Sequence, residues 1–424
     1  MESSGQVKEK ILKTVDKRRD EIVAFLQDLI REQSVTENEA SIQRFITSKL
    51  KEMDLMVDVW EPSWNELKKH QGYVPVKVGY EGRPNVVGVY RGRGKGKSLI
   101  FNGHVDVVPS GPQEGWPHDP WGGQVEGGKM YGRGTSDMKS GLAAMTMALK
   151  CVLEAGVKPE GDVILEYVMD EEYSGNGTLA CILRGYKADA AVNCEASDLE
   201  VQPAHTGSMW FNITVKGRSA SMSRIWEAVS AVEKGYRVFR AVSDFETIRL
   251  EKRHPLYADP RAALACFVGM FHSGSYPSIP PDLCLIRGRM GVLPNEDPHE
   301  VQRTFIQYIG KVADCDPWLK DHKPEVVFTG YMGEPAEIPP DHPICKTVEA
   351  SFEEATGRRA VVKGHEGCTD SRLLIKHAEV PTVIFGPGTI TQMHAADEWV
   401  KIDDLIASVK TMALTIVNWC SYSQ

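Results

Sequence analysis

Short apolar runs that alternate with helical patterns constrain this chain more than any other feature of its sequence. Five of the runs have the length and the β-branched content of strands buried in a sheet: MVDVW, NVVGVY, SLIFNG, DVILEYV and AAVNC. Residues 7–31 and 39–53 repeat apolar positions at helical spacing, and a glycine ends the helix-like segment KSGLAAMTMALKCVLEAG. Strands that alternate with helices predict an α/β layer architecture.

The pattern changes after about residue 207 and resumes at about residue 331. The intervening segment begins with WFNITVKG, whose alternation of apolar and polar residues is typical of a half-exposed antiparallel strand. The order that follows is strand, helix, strand, strand, helix, strand, which indicates a small α+β domain. We therefore predict a discontinuous α/β domain, residues 1–207 and 331–424, interrupted by an α+β domain over residues 208–330.

Charge and composition exclude several classes of function. The formal net charge is −9, from 49 basic and 58 acidic residues, whereas nucleic acids and anionic membranes bind basic surfaces. No apolar run is long enough to span a bilayer, and the N-terminal segment MESSGQVKEKILK lacks the apolar region of a secretory signal. The nine scattered cysteines contain no C-x-x-C pair, so we expect neither disulfides nor a structural zinc site. Together these features predict a cytoplasmic protein that acts on a small molecule.

Acidic residues and a histidine follow the predicted strands at the points where the strands end. SLIFNG runs into His104 and Asp106, DVILEYVM into an acidic run with Glu171 and Glu172, and AAVNC into Glu195. Open α/β sheets place their sites just beyond the carboxyl ends of strands, so these side chains are expected at one edge of the sheet.

Each of these residues by itself also has an ordinary structural explanation. His104 fits a satisfied surface histidine, Asp137 fits a helix cap, and residues 170–172 fit a solvated turn. Their recurrence at several strand ends, without paired cysteines, favours a site for Zn, Mn or Co. Two close divalent ions need a bridging carboxylate and terminal ligands, and together they activate a water and polarise a carbonyl.

Six segments in a characteristic order carry a family resemblance: NGHVDVVP, YGRGTSDMKSG, VMDEEYSGNGT, NCEAS, HTG, and FGPG followed by MHAADE. In these segments the chain resembles the M20 family of metallohydrolases, which includes exopeptidases, desuccinylases, acetylornithine deacetylase and aminoacylase. The resemblance implies a zinc-exopeptidase-like α/β catalytic domain that binds one or two divalent ions, Zn, Mn or Co. It also implies that residues 208–330 form a lid, through which we expect a homodimer or a higher homo-oligomer.

The same resemblance implies roles for individual residues. Glu171 resembles the general base that takes a proton from the attacking water, and Asp106 resembles the acid that orients His104. The implied metal ligands are His104, Asp137, Glu172, Glu195 and His394. Of these, Asp137 resembles the ligand that bridges the two ions.

Two positions depart from the family pattern. Ser221 stands where the lid normally carries the histidine of a G-x-x-A-H motif, and that imidazole donates to the oxyanion of the tetrahedral intermediate. Gly291 stands where many members carry an arginine that binds the substrate carboxylate. Arg289 either takes that task or is a surface strand residue, and His205 of the H-T-G segment is either a substrate contact or a core histidine.

These departures favour a hydrolase of a non-peptide C–N bond. The favoured specific reaction is the hydrolytic deamination of an aromatic amino acid such as 5-nitroanthranilate with release of ammonia. In that reaction negative charge develops on the ring and nitro group, so an oxyanion histidine at position 221 is dispensable. The alternative is an N-acyl or N-formyl amide deacylase or an exopeptidase. The non-enzyme alternative is a degenerate binding protein, against which the retention of all the ligand candidates argues.

Overall fold

The computed structural model describes residues 3–423 and divides them into two compact units. The first unit comprises residues 3–204, 337–365 and 369–423, and the second comprises residues 205–336 and 366–368. Among residues 3–423, no helix combines the length and the apolar character needed to cross a membrane.

A six-stranded sheet forms the centre of the first unit. Its strands lie in the spatial order Met56–Trp60, Asn85–Tyr90, Val163–Val168, Leu99–His104, Ala190–Asn193 and Thr382–Ile384. The first two strands are antiparallel to their neighbours, and the last four are parallel to one another. All five apolar runs singled out in the sequence therefore form strands of one sheet.

Helices cover both faces of this sheet and bury an apolar core on each side. They are Ser4–Lys17, Arg19–Arg31, Ala40–Glu52, Trp64–Leu67, Lys139–Glu154, Asn176–Arg184, Pro343–Thr356, Ser371–His377 and Ile402–Cys420. The periodic stretch 7–31 forms two helices rather than one, because the backbone leaves helical geometry at Arg18, where φ is −94° and ψ is 8°. Smaller strands pair as Gln124–Glu126, Lys129–Tyr131 and Trp399–Lys401, and as Lys158–Pro159 with Tyr422–Ser423.

The second unit is a four-stranded antiparallel sheet packed against two long helices. Its strands lie in the order Cys266–Ser273, Leu283–Val292, Gly207–Lys216 and Glu325–Gly333. The helices Ala231–Arg249 and Pro298–Asp314 cover one face, so the chain follows the strand and helix order that the sequence predicts. Short helices span Met222–Glu227 and Pro260–Ala263.

Phe305 lies at the centre of the core of the second unit. Its ring is fully buried and contacts the rings of Phe211 and Phe245 at centroid distances of 5.0 and 5.1 Å. We expect Phe305→Ala to lower the free energy of unfolding by about 3–5 kcal/mol, because it removes buried apolar area and leaves a cavity. Urea denaturation checks this, with Ile306→Ala as the control. Ile306 is 44% exposed, so its truncation is expected to cost less than about 1 kcal/mol. Equal losses for both variants would contradict the packing argument.

Candidate metal centre

Three neighbouring parallel strands end at the same edge of the sheet. His104 is the last residue of its strand and pairs with Val168, while Asn102 pairs with Asn193. Glu171 and Glu195 follow the two partner strands by a few residues, so these side chains emerge at the same level. The sequence-based prediction that they lie together agrees with this geometry.

Asp137 lies between two histidines. Its Oδ1 atom is 3.1 Å from Nε2 of His104, and its Oδ2 atom is 3.2 Å from Nε2 of His394. A carboxylate whose two oxygens face two separate imidazoles has the geometry of a bridging ligand for a pair of ions.

Two groups of candidate ligand atoms meet at this place, and Asp137 belongs to the second. In each group the ligand atoms of the three side chains lie within 4.8 Å of one another. Nε2 of His104 is 3.4 Å from Oε1 of Glu195, and Nε2 of His394 is 2.9 Å from Oε2 of Glu172. The groups are His104, Glu171 and Glu195, and Asp137, Glu172 and His394.

The contacts of the two ring nitrogens of His104 suit a metal ligand. Its Nδ1 atom donates to the backbone oxygen of Asp106 at 2.8 Å, so Nε2 is the ring atom that faces Asp137 and Glu195 and is available as a ligand when it carries no proton. Metal-bound histidines typically donate their other ring N–H to such an acceptor.

The chemistry of the donors also fits divalent cations. No described residue donates a hydrogen bond to the buried Oε2 atom of Glu195, and burial raises the pKa of this carboxyl group to about 7. A buried carboxylate without a donor is costly unless a cation pairs with it. Carboxylates and imidazoles suit Zn, Mn and Co, so the residues present fit one or two such ions.

Glu171 belongs to the first group but is its most distant member from His104. Its Oε2 atom is 3.9 Å from Nε2 of His104, the longest of the contacts that His104 makes here. Burial raises the pKa of Glu171 well above its ordinary range. The role of Glu171 as general base stays a prediction at this point.

Asp106 contacts His104 mainly through its backbone, and the expected orienting role of its carboxylate stays a prediction. Its Oδ1 atom is 3.7 Å from Nδ1 of His104, and the backbone carbonyl takes the hydrogen bond instead. The carboxylate accepts from the backbone N–H groups of Glu171 at 3.1 Å and Glu172 at 3.3 Å, and from Oγ1 of Thr36 at 2.9 Å. Asp106 therefore holds the turn that presents the two glutamates, and those three donors account for the position of its carboxylate.

Sequence reasoning missed the support behind that turn. Asp170 has a left-handed backbone, with φ of 67°, and its carboxylate accepts from Oη of Tyr80 at 3.1 Å and from Nη2 of Arg83 at 3.0 Å. Arg83 also pairs with the buried Glu39. Residues 62–84 are irregular in sequence and carry no periodic signal, yet Tyr80 and Arg83 are buried and brace the segment that leads into Glu171.

The three predicted substrate contacts lie in the second unit. Ser221 is exposed, with its Oγ atom 3.1 Å from that of Ser223. Arg289 donates from Nε to Oγ of Ser208 at 2.9 Å, and His205 is buried, with Nδ1 3.0 Å from the backbone oxygen of Thr206. Their roles toward a substrate stay predictions.

Comparison with known proteins decides the family. Residues 100–418 match the family described as Peptidase family M20/M25/M40. The chain belongs to this family. As a member of the M20 family it is a metal-dependent hydrolase that acts on C–N bonds, and the predicted fold class is confirmed.

Two curated relatives and one solved structure resemble this M20 family member over nearly its whole length. It is 29% identical to the N-formyl-4-amino-5-aminomethyl-2-methylpyrimidine deformylase of Bacillus subtilis, over 96% of this chain and 97% of that protein. It is 26% identical to the succinyl-diaminopimelate desuccinylase of Methylocella silvestris, over 91% of this chain and 94% of that protein. The M20 family metallo-carboxypeptidase Sso-CP2 from Sulfolobus solfataricus has the same fold, with a TM-score of 0.72 at 16% identity, over 93% of this chain and 98% of that one.

Proposed function

We propose that this enzyme removes a formyl or another small acyl group from the nitrogen of a small-molecule amine. The observation that carries the proposal is the position of Asp137 between His104 and His394, with Glu171 beside them. Both curated relatives bear the names of enzymes that remove an acyl group from nitrogen, one of them a formyl group. They favour a deacylase over the aromatic aminohydrolase expected from Ser221, which their names do not support.

We assign the proposed metal ligands to two ion positions. Asp137, Glu172 and His394 would hold one ion. His104 and Glu195 would hold the other together with Asp137, which contacts His104 as well. Glu171, the remaining member of the first group, is assigned proton transfer instead of ligation. Divalent ions at such positions lower the pKa of a bound water and polarise the carbonyl oxygen of an amide.

Glu171 moves the proton in this mechanism. Its carboxylate accepts a proton as the water oxygen adds to the carbonyl carbon, and it returns that proton to the amide nitrogen as the C–N bond breaks. The products are the free carboxylic acid, formate in the simplest case, and the amine. Asp106 keeps Glu171 in place through the hydrogen bond from the Glu171 backbone N–H to its carboxylate.

A substrate panel tests the proposed class. We expect N-formyl amines that carry a heteroaromatic ring to be hydrolysed with a kcat/KM at least about tenfold above that of N-succinyl amino acids or a dipeptide, since the Bacillus subtilis relative is named for a formylated aminopyrimidine. Formate and primary amine are measured after loading with Mn, Zn or Co, with chelator-treated enzyme as the control.

Other outcomes of the same panel contradict the proposal in distinct ways. Ammonia release from an aminonitrobenzoate without formate release from any formyl amine would establish the aromatic aminohydrolase instead. Preferential cleavage of the dipeptide would indicate an exopeptidase, and metal-loaded protein that turns over nothing in the panel would support the degenerate binding protein. The homo-oligomer expected through the lid stays a prediction.

A further inference from the structure

We propose that Glu398 is a positioning residue that ties the turn carrying Asp137 to the segment carrying His394. The inference rests on the metal centre of the proposed function and adds a residue to which the family resemblance assigned no role. The side chain of Glu398 is fully buried and contributes to neither group of ligand atoms.

Four donors from one short turn converge on the Glu398 carboxylate. The backbone N–H groups of Ser136 and Asp137 donate to Oε1 at 2.7 and 3.0 Å. The backbone N–H of Gly134 and Nη1 of Arg133 donate to Oε2 at 3.0 and 2.7 Å. Both oxygens are therefore used, and one of them holds the peptide nitrogen of the proposed bridging ligand.

The turn that receives this support has no regular secondary structure of its own. It lies between the strand Lys129–Tyr131 and the helix Lys139–Glu154, and the φ of Gly134 is 86°. Backbone N–H groups in such a turn have no ladder or helical partner, so the Glu398 carboxylate replaces the missing acceptors. The position of Asp137 consequently depends on Glu398.

The other end of the connection is the segment that carries His394. Glu398 follows this histidine by four residues and immediately precedes the strand Trp399–Lys401. A second tie precedes the histidine, because Oγ of Ser136 donates to the backbone oxygen of Thr389 at 3.0 Å and accepts from its N–H at 2.9 Å. The segment is thus bound to the Asp137 turn on both sides of His394.

His394 needs these ties because burial does not hold it. Its side chain is 55% exposed and its φ is 60°, a left-handed backbone that is uncommon for a residue with a side chain. Core packing cannot set the distance between this imidazole and the Asp137 carboxylate. The connection through Glu398 and Ser136 sets it instead.

The test measures metal binding directly, with Co²⁺ as the probe and the full chain as the protein. Glu398→Gln keeps the shape of the side chain but places an NH₂ group against N–H donors and leaves the buried Arg133 without its carboxylate. We expect the Co²⁺ affinity of the metal-depleted variant to fall about 10- to 100-fold, with a changed visible spectrum of bound Co²⁺.

Glu296→Gln is the matched control. Glu296 also accepts from an arginine, Nη2 of Arg249 at 2.7 Å, and from a backbone N–H, that of Leu293 at 3.0 Å, but it lies in the second unit. This variant is expected to lower the unfolding midpoint of the metal-free protein while leaving the Co²⁺ affinity and spectrum at wild-type values. A general loss of stability therefore cannot imitate the expected effect.

Wild-type Co²⁺ affinity and spectrum in Glu398→Gln would overturn the inference. If that variant does not fold, Ser136→Ala takes its place, because it removes only the hydroxyl of the second tie. A several-fold loss of Co²⁺ affinity then supports the inference, and an unchanged affinity overturns it. Wild-type protein that binds no Co²⁺ would overturn the metal centre together with this inference, whereas wild-type protein that binds Co²⁺ but hydrolyses no formyl amine would overturn the proposed substrate alone.

Discussion

Glu171→Gln is expected to lower kcat by about 10²- to 10⁴-fold while the protein keeps its metal ions. The amide retains the size of the side chain but cannot accept a proton from the attacking water or return it to the leaving nitrogen. The Oε2 atom of Glu171 is 3.9 Å from Nε2 of His104, farther than the oxygen atoms of Asp137 and Glu195. Replacing the Glu171 carboxylate is therefore not expected to release an ion. Initial rates with an N-formyl amine and elemental analysis of the dialysed protein give the two readouts.

The neighbouring residue supplies the control for this experiment. Glu172 contacts His394 at 2.9 Å, so Glu172→Gln is expected to lose metal as well as activity. Adjacent glutamates on one turn thus separate proton transfer from ligation. Turnover near the wild-type rate in Glu171→Gln would show that another group accepts the proton.

Asp137→Asn is expected to weaken binding at both metal positions by about 100-fold, because among residues 3–423 this side chain alone faces both histidines. His394→Ala, by contrast, is expected to weaken one position and to leave the one at His104 occupied. The metal content per chain, measured after dialysis against buffers of fixed free Zn²⁺ concentration, distinguishes the two variants.

The number of ions bound per chain in the two variants shows whether Asp137 bridges two ions. A bridging role requires the aspartate variant to lose more metal than the histidine variant. Equal losses, or one firmly bound ion in Asp137→Asn, would mean that Asp137 serves a single ion.

Part of this site is predictable from local pattern alone. His104, Glu171 and Glu195 follow apolar runs that form parallel strands, and parallel strands bring their carboxyl ends together whatever the rest of the chain does. Asp137 and His394 have a weaker signal. Asp137 stands among glycines just before a helix and His394 follows a glycine turn, and only the resemblance to known motifs gave them roles.

Other contacts of the site could not be predicted from the sequence. Tyr80 and Arg83 come from a segment without periodicity and reach Asp170 across nearly ninety residues of chain. Nothing near Glu398 shows that its carboxylate accepts from Ser136 and its neighbours. The hydrogen bond from His104 to the backbone carbonyl of Asp106 is likewise absent from the sequence, because the resemblance gives a residue's role but not which of its oxygen atoms meets the imidazole.

The order of strands and helices, the α+β insertion and the gathering of acids at strand ends follow from periodicity, which acts over a few residues at a time. The distance from Asp137 to each histidine, the turn held by Asp106 and the connection through Glu398 exist only in the folded chain. They depend on hydrogen bonds between segments remote in sequence, and whether two such segments meet depends on how every element between them packs.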